Sequence, residues 1–99
     1  MPSRFPIDPE QLMSAIITLN SMSPCDGVIM TRQGEVKVGY RDDADLLCML
    51  LPAPVLARML TADGLSSYSV KELKKWISEL DTAPLQAIAD AAAEKLAAE

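Results

Sequence analysis

The chain has 99 residues, 49% of them hydrophobic and 23% charged, with a net charge of −5 and no histidine. That length fits one domain with one modest core. Histidine is the commonest general acid/base near neutral pH and the commonest metal ligand, so its absence removes most catalytic and metal-centre chemistries at the outset.

Residues 1–7 read as an irregular lead-in and lack the apolar stretch of a secretory signal. A helix follows: Asp8 is a good N-cap, Pro9 suits the first helical position and Gln11 stands at the capping-box position. Leu12, Ile16 and Leu19 recur at helical spacing, Met13 and Ile17 widen the stripe, and the helix is expected to end near Asn20. Residues 21–27 hold Ser, Pro, Asp and Gly and predict a loop. The period then changes. Val28, Ile29 and Met30 are followed by a turn near Gly34, and Val36, Val38 and Tyr40 alternate with Lys37 and Gly39. This predicts a hairpin with Val36, Val38 and Tyr40 on its apolar face.

Residues 41–43 read as a second turn. The run 46–51 (LLCMLL) lacks β-branched residues, which favours a helix, but it is six residues long, bounded by turn signals and closed by Pro52, which favours a buried strand. The strand is the expectation. Val55, Leu56, Met59 and Leu60 form a short helical face stopped at Asp63 and Gly64. Ser69 and Glu72 make a capping box for a helix striped by Val70, Leu73, Trp76, Ile77 and Leu80. Asp81 or Thr82 caps the last helix, with Pro84 in its first turn and Leu85, Ile88, Ala92 and Leu96 along it. Together these predict a single α+β domain over residues 1–99. It has a small antiparallel hairpin or three-stranded meander, one N-terminal helix and about three C-terminal helices.

The polar residues fall into no reactive constellation. Asp42, Asp43 and Asp45 could offer oxygens to a divalent cation, but they lack the spacing of a calcium loop and read better as a solvated turn. Cys25 and Cys48 are too few for a zinc site or a disulfide scaffold, and neither has a histidine to activate it. Ser66, Ser67, Tyr68 and Ser69 precede Lys71 without the spacing of a serine–lysine pair, and capping explains Ser69. Arg32, Lys37 and Arg41 gather around the hairpin and could meet an anion there, and Lys71, Lys74 and Lys75 share one helix. Trp76 is a candidate interface anchor, although its stripe points to the core. The alanines of the last helix permit close approach of a second copy, so a homo-oligomer through the C-terminal helix is one expected partner.

The acidic excess lies wholly in residues 42–99. It disfavours nucleic acid, which needs basic contacts, and suits a larger protein or complex with a basic surface. No apolar run approaches the ~20 residues of a membrane span, and a reduced, cytoplasmic setting is expected. The leading expectation is a non-catalytic protein–protein interaction module without cofactor or metal, acting as a stoichiometric regulator, adaptor or inhibitor of a larger assembly. The alternative is a small-molecule or nucleotide receptor with an anion site near the hairpin, and a second alternative is a nucleic-acid-binding module. The candidate binding residues are Arg32, Lys37, Arg41, Asp42, Asp43, Asp45 and Trp76.

Overall fold

The computed structural model describes residues 4–21, 25–60 and 69–98. Among them the elements run α1 (Pro9–Ser21), β1 (Gly27–Thr31), β2 (Val36–Gly39), β3 (Leu46–Pro52), α2 (Ala53–Leu60), α3 (Val70–Glu79) and α4 (Ala83–Ala98). This is the expected small α+β domain: four helices and one three-stranded antiparallel sheet. The expected helix stop at Asp63 and Gly64, and the cluster Ser66, Ser67 and Tyr68, lie outside the described residues.

α1 starts as its sequence demands. The Glu10 N–H donates to Asp8 Oδ1 at 2.9 Å, and the Leu12 N–H donates to the Asp8 carbonyl at 3.0 Å. Gln11 uses its side-chain oxygen elsewhere: Oε1 accepts from the Val36 N–H at 3.0 Å and ties the helix to β2. Leu12, Ala15, Ile16 and Leu19 are buried, with Met13 and Ile17 half-buried beside them.

The sheet order is β2-β1-β3, so the first strand is central, where a meander would have placed the second. Burial agrees with that central place. Val28, Ile29 and Met30 of β1 have no exposed surface, a burial that only a strand flanked on both edges and both faces provides. β2 carries the exposed Lys37 and ends in Gly39, which suits an edge. The strand reading of residues 46–51 holds. Two register shifts in the β1–β3 pairing let this uninterrupted apolar run fit a sheet with one main core face. Each extra residue on β3 resets the alternation, so Leu47, Cys48, Leu50 and Leu51 all reach the helix-side core. Pro52 ends the strand without loss, because β3 is an edge strand.

β2 and β3 run in the same direction, so residues 40–45 must travel back along β1 between them. They do so on the face away from the helices. Ile29 points to that face, and a Cβ on Gly39 would lie 2.6 Å from Ile29 Cδ1 and 3.6 Å from Asp43 Oδ2. The crossover therefore helps bury Ile29, which takes no part in the helix-side core. Tyr40, expected on the apolar face of the hairpin, lies beyond β2 and is 47% exposed.

Helices cover the other face. α1 lies over β2 and β1, α4 over β3, and α3 packs on α1. α3 begins at the expected capping box: the Glu72 N–H donates to Ser69 Oγ, and Ser69 Oγ–H donates to Glu72 Oε1, both at 3.2 Å. Leu73 and Ile77 are buried and Trp76 and Leu80 half-buried, but Val70 in the first turn is 48% exposed. At the start of α4 the Ala83 N–H donates to Asp81 Oδ1 at 3.0 Å, and the Gln86 N–H to the Thr82 carbonyl at 2.9 Å. Residues 4–7 are irregular and pinned: Gln86 Nε2 donates to the Phe5 carbonyl and Gln86 Oε1 accepts from the Ile7 N–H, each at 3.0 Å. The buried stripe of α4 differs from the expected one. It runs Leu85, Ala89, Ala93, and Ile88 is left 41% exposed. α4 lies against β3 with Ala89 and Ala93 buried, and Ile88 falls outside the buried stripe. Among the described residues no helix is long and apolar enough to cross a membrane.

Candidate functional site

The residues singled out by the sequence take different places. Asp43 shapes the crossover: its N–H donates to the Tyr40 carbonyl at 3.1 Å, its Oδ1 accepts from the Asp45 N–H at 3.0 Å, and its carbonyl accepts from the Leu46 N–H at 3.1 Å. The Asp45 carbonyl accepts from the Arg32 N–H at 2.8 Å, which brings those two residues together across β1 and β3. Asp42 is exposed. The Arg41 N–H donates to Asp26 Oδ2 at 2.7 Å, a loop partner the sequence reading passed over. Among the described residues no group of three or more His, Cys, Asp or Glu side chains could hold a metal ion. Trp76 packs against the helix-side core.

Two grooves flank the sheet. One, about 480 Å³, lies between α1 and β2 and is lined by Asp8, Glu10, Gln11, Ser14, Thr18 and Lys37 with Ala15, Val36 and Val38. The other, about 460 Å³, lies between β3 and α4. Its walls are Leu46, Leu47 and Cys48 on one side and Ile88, Ala91, Ala92 and Leu96 on the other, with Arg32 and Lys95 as its charged residues among those described. Arg32 and Lys37 thus line different grooves, and Arg41 lines neither.

The second groove is the candidate site, and each wall has a local origin. The register shift opposite Met30 and Thr31 places Leu47 and Cys48 toward the helix side. Burial pushes the Cys48 thiol above its ordinary pKa, which favours its neutral form as part of the apolar wall. On α4, Ile88, Ala92 and Leu96 stand at i, i+4 and i+8 and form one row, with the alanine as a notch between two larger side chains. Arg32 is held by the turn that joins β1 to β2. The Glu35 N–H donates to Thr31 Oγ1 at 3.1 Å, and the Gly34 N–H donates to the Thr31 carbonyl at 2.9 Å. Gly34 has φ +87°, which an L side chain rarely adopts, so the turn needs glycine there.

Sequence reading found Arg32 but missed the rest of this site. Ile88, Ala92 and Leu96 stand in the expected apolar row of the last helix together with Leu85, and that row does not by itself say which face is buried. The signal that separates them is the adjacent pair Ala89 and Ala93, which offers the same helix a second, closer-packing face. Chemically the groove can bury apolar side chains and attract carboxylates. Comparisons with protein-family models, with curated proteins and with solved structures find no match to this chain.

Proposed function

We propose that the protein is a non-catalytic interaction module that takes a partner protein in the β3–α4 groove, and so acts as a stoichiometric regulator, adaptor or inhibitor. One observation carries this: an apolar groove of about 460 Å³ whose helix wall leaves Ile88 41% exposed, although the same helix buries alanines one position further on. Exposed apolar surface gathered into a groove is the ordinary mark of a docking site. The free thiols Cys25 and Cys48 suit a reducing, cytoplasmic compartment.

A small-anion receptor is favoured by the presence of Arg32 and Lys95 on one groove. The groove is only partly enclosed, however, whereas small-molecule sites enclose most of their ligand. A polypeptide fits the shape better.

Affinity capture from native extract, run in parallel with the wild-type chain and Ile88→Glu, tests the proposal. Both proteins should be folded by circular dichroism, since Ile88 is substantially exposed. A bound protein is expected to fall about tenfold or more on the variant. Equal recovery on both overturns the assignment of the groove.

A further inference from the structure

We infer that the occupant of the β3–α4 groove is an amphipathic helix whose apolar face is flanked by carboxylates, an inference that rests on the interaction function proposed above. The first argument concerns the backbone. A partner could add to the edge of β3 as a strand, but this edge is interrupted by two register shifts and ends in Pro52, which has no N–H to offer. Such features disrupt the continuous ladder that strand addition requires. The occupant must therefore dock through side chains.

The second argument concerns shape. Ile88, Ala92 and Leu96 form a row about 12 Å long on α4. The Ala92 notch between two larger side chains accepts a knob from a facing helix, and Leu46 and Leu47 close the opposite wall. A helix carrying anchors at i, i+4 and i+7 presents apolar groups over a similar length.

The third argument concerns charge. The chain carries a net charge of −5, yet among the described residues both charged side chains lining this groove are basic, Arg32 from the β1–β2 turn and Lys95 from α4. They select carboxylates at the edges of the partner's apolar face. Exposed pairs of this kind contribute little affinity beside the apolar anchors, so they set orientation and preference.

The test is selection from a displayed library of helix-forming peptides about four turns long, with leucines fixed on one face and Asp, Glu, Lys, Arg and Ala randomised beside it. The full chain is the target and Ile88→Glu the counter-target. Enrichment of Asp and Glu over Lys and Arg is expected. A synthesised winner, followed by fluorescence anisotropy, should bind about tenfold or more weakly to Ile88→Glu. It should lose a few-fold on Lys95→Glu, and the same variant should gain affinity for the peptide with Lys in place of Glu. Winners that are basic or indifferent to charge, yet need Ile88, overturn the inference and leave the interaction function standing. A sedimenting dimer that Ile88→Glu returns to monomer, or a fluorescent fatty acid displaced by that substitution, also overturns it by placing another occupant in the groove. If no peptide prefers the wild type, the helical occupant is refuted. If native capture is then also unchanged by Ile88→Glu, the interaction function falls with it.

Discussion

Along the β2 edge, α1 leaves a groove of about 480 Å³ edged by Asp8, Glu10, Ser14, Thr18 and Lys37; along the β3 edge, α4 leaves one of about 460 Å³ walled by Leu46, Leu47, Cys48, Ile88 and Leu96. The two spaces are nearly equal, so volume does not distinguish them. Their walls do. At β2 the outward Val36 N–H is met by Gln11 Oε1 and the exposed Lys37 keeps the edge wet. At β3 the edge is guarded by irregular register and a proline, and the surface beside it is apolar. Both edges resist a further strand, by different means. Both grooves hold apolar side chains, but only the second is lined by a large hydrophobic residue left substantially exposed, Ile88 at 41%.

The difference can be broken most severely at Gly27, where β1 passes β3. A Cβ there would meet the Leu51 carbonyl oxygen and lie 2.8 Å from Pro52 Cα, both backbone atoms that cannot rotate away. Gly27→Ala is expected to cost about 3 kcal/mol or more in urea unfolding. Wild-type stability in that variant would mean that β3 is not seated against β1 at this point.

Next in size are the buried alanines of the two helices that flank the sheet. Ala15 of α1 and Ala89 of α4 are both buried, and enlarging either to leucine should cost about 1–3 kcal/mol by overpacking. Ile88→Ser, one residue from Ala89, should change stability by no more than about 0.5 kcal/mol and still weaken capture of the partner. If Ile88→Ser proves as destabilising as Ala89→Leu, then Ile88 belongs to the core and the contrast between the two grooves collapses.

A smaller effect is expected at Gln11. Gln11→Ala removes the acceptor of the Val36 N–H, at a cost of about 1 kcal/mol, and should speed amide exchange at Val36 while leaving β3 amides unchanged. Equal acceleration on both edges would show that the edges are not independently secured.

The smallest effect is a pH dependence confined to the β3 flank. Burial raises the Cys48 pKa, so the folded protein keeps the thiol proton to higher pH than the unfolded chain does. The stabilisation is complete below the ordinary value of 9.0 and declines as pH rises beyond it, until the folded thiol also ionises. Cys48→Ala should remove this part of the alkaline loss of stability in urea melts at stepped pH. Identical slopes for wild type and variant would refute it.

Much of the fold was legible where a few neighbouring residues suffice. Asp8 and Ser69 cap helices through bonds to groups two or three residues away, so their side chains announce the helix starts. The alternation from Val36 to Val38 marked a strand with one wet face, and Lys37 is indeed exposed. Order in the sheet was not legible, because β1–β3 pairing joins residues about twenty apart and no local pattern encodes it. Tyr40 was placed by extending a period of two beyond the point where the chain leaves the sheet.

The candidate site was less legible. Arg32, Lys37 and Arg41 are close in sequence, but the hairpin and the crossover give them separate surroundings. Asp43 and Asp45 serve the backbone of the crossover, a use that composition cannot distinguish from metal binding.

Amino-acid order alone determined where helices begin, which segments are extended, that the core is aliphatic and that histidine chemistry is absent, since each follows from local hydrogen bonding, side-chain period or composition. Tertiary structure decided that β1 is central, that β3 shifts register twice, and that α4 packs through Ala89 and Ala93 and turns Ile88 outward. The reason is physical: two overlapping apolar stripes on one helix are equally plausible core faces until a neighbouring strand sets the distance, and at close range the smaller side chains win.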